Sequence, residues 1–418
     1  MRPAAGSYRM RAMEQKLEKR LAVMMFLEYV IWGSWYPLLS RYLSDFLHFR
    51  GIDIAWIFGT LAIASVTAVF FSGQIADRYF ASERFLALSH LVGGLSMLAL
   101  AFQKSFWPFF VIMLVHQLAY VPTLSITNSI SFHHIKDPKE FGRVRLWGTI
   151  GWIAASWPFV FLLRGKEGPG LETALTSIFW VAGIVSLAMA AFSLTLPHTP
   201  PAGGSREKNA PLEAIRFLAV PAIGVLFFVT FLDSLVHACY FMWTGPFLAA
   251  IGVADNWIMP AMSIGQIAEI GTMAVLGLFI AKLGWRRIMV LGILAHALRF
   301  FVYSIGQPLW LVIGSNVVHG VCYAFFFATV YIFVDEYLPK DARASAQGLF
   351  NLLILGVGPF VGNLLWGYLG DEMRTGGAVD FQRLFLWPAA LGVVAVVVLL
   401  IGFHPKKDPG QTEMAKAA

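Results

Sequence analysis

The sequence predicts an all-α integral membrane fold, twelve spanning helices in two six-helix halves. Three observations predict it. Of 418 residues, 58% are hydrophobic and only 13% charged, where a soluble chain carries about 25% charge; such an apolar surplus calls for lipid as its solvent. Twelve apolar runs are each long enough to cross hydrocarbon about 30 Å thick. A single Pro-, Gly- and charge-rich stretch, Pro197 to Phe217, falls between the sixth run and the seventh and has the composition of a linker.

In order, the runs cover 21–42, 54–76, 84–103, 106–132, 143–163, 173–196, 218–248, 257–281, 286–305, 308–334, 343–369 and 382–403. The organisation is then an N-terminal segment 1–20, a six-helix bundle 21–196, a linker 197–217, a second bundle 218–403 and a tail 404–418. Residues 1–20 are basic and polar, and no small-residue cleavage site follows the first apolar run, so it reads as a first span. With the N-terminus inside, 22 of the 31 Lys and Arg fall on the cytoplasmic side and 7 outside; Arg145 and Arg299 fall within spans. That bias puts both termini in the cytoplasm. It also accounts for the net charge of +7 without nucleic acid as a partner. The two cysteines, Cys239 and Cys322, lie in apolar runs and suggest neither a disulfide framework nor a metal site.

Two six-span halves joined by a cytoplasmic linker resemble the major facilitator plan, whose substrate site lies at the midplane between the halves. The loop after span 2, Gly73-Gln74-Ile75-Ala76-Asp77-Arg78, is similar to that family's conformational-switch loop. The loop after span 8, Lys282 to Arg287, is a weaker echo, and simple positive-inside anchoring is the alternative.

Ionisable groups deep in a membrane are costly and therefore candidates for function. On span 8, Gln266 and Glu269 share a helix face and offer an amide and a carboxylate to a polyhydroxyl or a base edge. On span 7, Asp233, His237 and Tyr240 form one polar stripe; a proton site and an internal Asp233–His237 pair are both open. On span 5, Arg145, Thr149 and Trp152 repeat that spacing. Span 1 carries Glu28, Trp32 and Trp35, with Glu28 either a protonation site or the counter-ion of Arg145. Span 10 has His319 and Tyr323, and span 4 has Tyr120 and Thr123. Arg299 requires an anion, for which Glu269 and Asp335 are candidates. Carboxylates, amides and flat rings together suit a nucleoside; a sugar suits them as well. No nucleophile–base–orienter set is present, so an enzyme is not expected.

Several strings carry a closer resemblance: Leu27-Glu28 through Trp32 to Trp35, Ala119-Tyr120-Val121-Pro122-Thr123, Val144-Arg145-Leu146-Trp147-Gly148-Thr149, Ser263 through Gln266 to Glu269, and Arg343 through Gln347-Gly348. With these the sequence resembles the bacterial nucleoside:proton symporters among the major facilitators, over nearly all of its membrane region. The resemblance implies an inner-membrane, monomeric secondary transporter that uses protons and no cofactor. It implies nucleoside contacts at Arg145, Thr149, Gln266 and Glu269, with Trp152 where the family carries Phe. His237 and Tyr240 stand where the family has two amides, and Tyr323-Ala324 where it has Phe-Asp, so one acid is missing. Glu28 replaces a Gln. The coupling proton is then expected on Glu28, Asp233 or Glu269. A proton-coupled sugar transporter and a non-transporting substrate sensor are the alternatives.

Overall fold

The computed structural model describes residues 5–68, 80–135, 140–201, 214–338 and 340–405. Among the described residues nine helices are long and apolar enough to cross a membrane. One of these, Asp255–Ile305, runs for 51 residues and is broken at Gly284, which takes φ 73° and ψ 166°. A side chain is strained at that φ, so glycine is the residue that lets the chain turn there without a loop. Divided at Gly284, and joined by the shorter Gly51–Thr67 and by the pair Phe141–Ala154 and Trp157–Leu162, the set is the twelve helices expected.

They are α1 (Ala5–Asp45), α2 (Gly51–Thr67), α3 (Ser82–Leu100), α4 (Phe106–His134), α5 (Phe141–Ala154 with Trp157–Leu162) and α6 (Gly168–Ser193). The second six are α7 (Pro221–Ala250), α8 (255–283), α9 (285–305), α10 (Leu309–Tyr337), α11 (Lys340–Asn351 running on through Gly358–Glu372) and α12 (Phe381–Gly402). A two-stranded hairpin, Arg374–Thr375 with Ala378–Val379, separates the last two. Helix α1 starts at Ala5, well inside the segment expected to precede the first span. Gly73, Asp77 and Arg78 of the expected switch loop lie outside the described residues.

Within α9, burial shows why an apolar sequence folds this way. Leu291, Leu294, Leu298 and Phe301 are exposed, whereas His296, Arg299 and Tyr303 are wholly buried. The two sets recur at helical spacing on opposite faces. Apolar side chains face outward and polar ones inward, as lipid demands of a helix that carries ionisable groups.

Two compact units form: residues 1–39 with 70–204, and residues 40–69 with 205–418. In the first, α3 packs against α4 and α6, and a Cβ on Gly94 or Gly183 would press on the other's carbonyl at 3.1 Å. In the second, α9 meets α12 where a Cβ on Gly392 would lie 3.1 Å from the Ala297 Cβ. Small residues at such crossings let helices approach and gain dispersion contact that lipid tails do not replace. The units differ from the division at residues 197–217 in that α2 packs against α11, within the second unit. The cause is local. A Cβ on Gly51 would run into the Gly367 carbonyl, so the two backbones touch. The Asp371 carboxylate then takes the first amides of α2, from Gly51 at 2.6 Å and Ile52 at 2.9 Å. These are donors that a helix start leaves without intrahelical partners.

Helix α10 is irregular in its middle. Residues Tyr323–Ala328 form a π-helical turn, and the hydroxyl of Thr329 donates to the Ala324 carbonyl at 2.9 Å, five residues back. A second π turn, Leu352–Val357, interrupts α11.

Candidate substrate and proton sites

In the first unit, Glu28 of α1 is completely buried and both carboxylate oxygens are engaged. Oε2 lies 2.9 Å from His90 Nε2 on α3, and Oε1 lies 2.6 Å from the Thr123 hydroxyl on α4. The Ser186 hydroxyl donates to the His90 carbonyl at 2.9 Å and approaches His90 Nδ1 at 3.3 Å. Its one proton is thereby spent, so Nδ1 is the donor of the second contact. With one proton between Nε2 and Oε2, the pair is neutral overall whichever atom holds it. Burial of an acid is tolerable on those terms.

Arg145 of α5 stands apart from that pair, its guanidinium 4.3 Å from the centroid of the Tyr29 ring. Of the two roles open to Glu28, the counter-ion of Arg145 is therefore replaced by a partnership with His90. Thr149 and Trp152 follow on α5, both half-buried. Trp152 meets Trp32 edge-on at 5.3 Å and Tyr36 at 6.4 Å. The buried indole N–H of Trp32 has no hydrogen-bond partner in the chain. Tyr120 stacks on His116, but its hydroxyl is committed to the Glu28 carbonyl at 2.7 Å.

The second unit holds a larger polar cluster. Asp233 of α7 pairs through Oδ1 with His296 Nδ1 on α9, at 2.8 Å. This replaces the Asp233–His237 pair that the i, i+4 spacing suggested: a long-range imidazole takes the carboxylate, and His237 Nδ1 instead lies 3.4 Å from His296 Nε2. Asp233 Oδ2 has no hydrogen-bond partner in the chain. His237, His319 and Tyr240 form a stack, with ring centroids 5.4 Å and 4.7 Å apart. Arg299 NH1 donates to His319 Nδ1 at 2.6 Å, and its guanidinium lies 4.1 Å from the Tyr240 centroid. An imidazole nitrogen that accepts from arginine carries no proton, so His319 is neutral with its hydrogen on Nε2. Asp335, one of the anions considered for Arg299, pairs with Arg343. Tyr240 and Tyr303 both donate to the Asn316 side-chain oxygen, at 3.3 Å and 2.8 Å.

Gln266 is buried on α8 with its side-chain oxygen lacking a partner in the chain, and Glu269 is half-buried one turn further on. Both are set by close contact with α10. A Cβ on Gly265 would lie 2.8 Å from that of His319, and one on Gly320 would collide with the Glu269 amide nitrogen. The polar turn of α8 is thus pinned beside the His319 ring. Tyr323 opens the π turn of α10 and is half-buried. An apolar groove of about 650 Å³ between α9, α10 and α12 is lined by Leu298, Phe301, Leu386 and Val393 and holds none of these polar groups. Among the described residues no group of three or more His, Cys, Asp or Glu is arranged to hold a metal ion.

His90 and His296 were not singled out by sequence reasoning. The signal is visible in hindsight. Glu28 and His90 are 62 residues apart, Asp233 and His296 are 63 apart. Each pair joins the first and third helices of its half. The same acid–imidazole contact is therefore built twice, as an internal repeat would build it.

A family model described as nucleoside H+ symporter matches residues 15–408. The chain belongs to the nucleoside H+ symporter family. Xanthosine permease of Escherichia coli K12 is 31% identical over 415 residues, covering 93% of this chain and 96% of that one. The nucleoside permease NupG of the same organism is 27% identical over 411 residues, again 93% and 96%. The crystal structure of the nucleoside transporter NupG superposes with a TM-score of 0.84 at 26% identity, covering 93% of this chain and all of that one. The symporter is thus a multi-pass membrane protein of the major facilitator fold, in a family of transporters, and its function is proton-coupled nucleoside transport.

Proposed function

We propose that this symporter takes up nucleosides across the bacterial inner membrane by alternating access. Both termini are cytoplasmic, a single chain is the working unit, and no cofactor is used besides the proton. One observation carries the reading furthest: on α8, Gln266 and Glu269 are held against α10 at Gly265 and Gly320, beside the ring stack of His237, His319 and Tyr240. A carboxylate and an amide match ribose hydroxyls, and flat rings match a heterocycle. Tyr323 belongs with this set. In the first unit, Arg145, Thr149, Trp152, Trp32 and Tyr120 are the proposed substrate residues, with the free indole donor of Trp32 available to a base edge. Gly73, Asp77 and Arg78 are the proposed switch loop.

The coupling acid belongs to the set Glu28, Asp233 and Glu269. Of the two fully buried acids, Asp233 is the better supported. Glu28 has a partner on each oxygen, whereas Asp233 has one oxygen with none. A carboxylate oxygen with no donor against it is open to a proton.

The test is uptake of radiolabelled uridine, adenosine, xanthosine and a galactoside into proteoliposomes, with and without an inside-alkaline pH gradient. Gradient-driven accumulation of at least one nucleoside and not of the galactoside is expected. Accumulation of the galactoside alone would move the protein to sugar transport, and tight binding without counterflow would make it a sensor.

A further inference from the structure

We propose that the coupling proton travels along a three-residue chain, His237 to His296 to Asp233, in which His296 is the positioning residue that shares the proton with the acid. The proposal rests on the symport reading above and adds a residue to it.

The chain is continuous. His237 Nδ1 is 3.4 Å from His296 Nε2, and His296 Nδ1 is 2.8 Å from Asp233 Oδ1. Its inner end is closed, since His296 and Asp233 have no exposed surface. Its outer end is His237, half-buried and stacked on His319, which shares the substrate-side ring cluster. A proton that reaches the ring cluster therefore has a bonded route to an acid that solvent does not touch.

The step balances without another reactant. Before loading, His237 Nδ1–H donates to His296 Nε2, and His296 Nδ1–H donates to the ionised Asp233 Oδ1. A proton arriving on His237 Nε2 displaces the Nδ1 hydrogen to His296 Nε2. The hydrogen on His296 Nδ1 then moves to Asp233 Oδ1. One proton has entered at His237, the carboxylate has become neutral, and both imidazoles remain neutral with their hydrogens on Nε2. Unloading reverses the sequence.

The groups around the acid set its charge balance. Arg299 of α9 and Cys322 of α10 are wholly buried in the same unit. The Arg299 Nε and NH2 groups have no hydrogen-bond partner in the chain. His319 is held neutral by Arg299 NH1, so it does not compete for the proton. The Glu28–His90 pair is the counter-example within the same molecule. It has the same acid–imidazole contact, but Thr123 closes the other carboxylate oxygen and Ser186 closes the other ring nitrogen. Among the described residues no second imidazole is hydrogen-bonded to it, so it offers no onward route.

The test uses full-length protein in proteoliposomes. With about one pH unit of gradient, a one-proton symporter sustains about tenfold nucleoside accumulation. H296Q keeps a hydrogen bond to Asp233 without a titrating ring. It is expected to bring accumulation to unity while nucleoside exchange continues in the same vesicles, and to flatten the pH profile of uptake. D233N is expected to flatten that profile as well. A wild-type reading comes from infrared pH-difference spectra with isotope-labelled histidine: imidazole tautomer bands should change together with a protonated-carboxyl band, which D233N removes. This arm stands even where H296Q fails to fold. Wild-type accumulation by H296Q, or a carboxyl band that changes with no imidazole band, overturns the relay. A wild-type protein that shows no proton dependence overturns the symport reading instead.

Discussion

Asp371 clasps Gly51: its carboxylate accepts the first amide of α2 at 2.6 Å, where the α2 and α11 backbones touch. Removing the clasp with D371A should cost about 1 kcal/mol, the usual value of a lost helix cap. G51A should cost more, about 1–3 kcal/mol, because the added methyl would collide with the Gly367 carbonyl and crowd the Asp371 carboxylate at 3.1 Å. Thermal unfolding in detergent, with and without nucleoside, measures both. Equal midpoints for D371A and wild type would remove the clasp from the account.

Replacement of the α8 acid tests the proposed ribose contact. E269Q gives up a charged hydrogen bond, worth about 1.5–3 kcal/mol, so nucleoside Kd should rise about tenfold or more. Q266A should weaken binding by a smaller factor. Isothermal titration or scintillation proximity on purified protein gives the values, and 2′,3′-dideoxynucleosides should bind both variants and wild type alike.

A methyl group can displace that same turn from behind. G320A places a Cβ against the Glu269 amide, at an overpacking cost of about 1–3 kcal/mol. Nucleoside affinity should fall although residue 320 need not touch the substrate. G271A, on α8 itself two residues past Glu269 and with open space around it, is the control and should be neutral or stabilising by about 0.5–1 kcal/mol.

For Arg145 the stacked geometry matters more than the charge. R145K keeps the cation and gives up the planar stack on Tyr29, a contact worth about 0.5–2 kcal/mol. Transport should show a raised KM, and Y29L should show the same direction. An unchanged KM in both would exclude the stacked guanidinium from substrate recognition.

Much of the fold was legible because lipid imposes it. Twelve apolar runs gave twelve helices, and even the turn at Gly284 fell between two expected spans. The acids Glu28 and Asp233 were legible for the same reason, since an ionisable group in such a run stands out. Their partners were not. Local spacing pointed Asp233 to His237, four residues on, but the imidazole that takes it is 63 residues away. A helix surface brings together residues from several helices, and sequence proximity counts only within one. The packing of α2 against α11 was hidden likewise, because it depends on two glycines, Gly51 and Gly367, that lie far apart in the chain.

The π turn at Tyr323–Ala328 has a practical consequence for anyone scanning α10 by mutagenesis. A wheel drawn at 3.6 residues per turn assigns about 100° to each residue. One extra residue in a turn therefore rotates everything beyond it by about that angle relative to His319. Exposure patterns measured along Thr329–Tyr337 should be read with the count restarted at Thr329, or lipid-facing and interior positions will exchange labels.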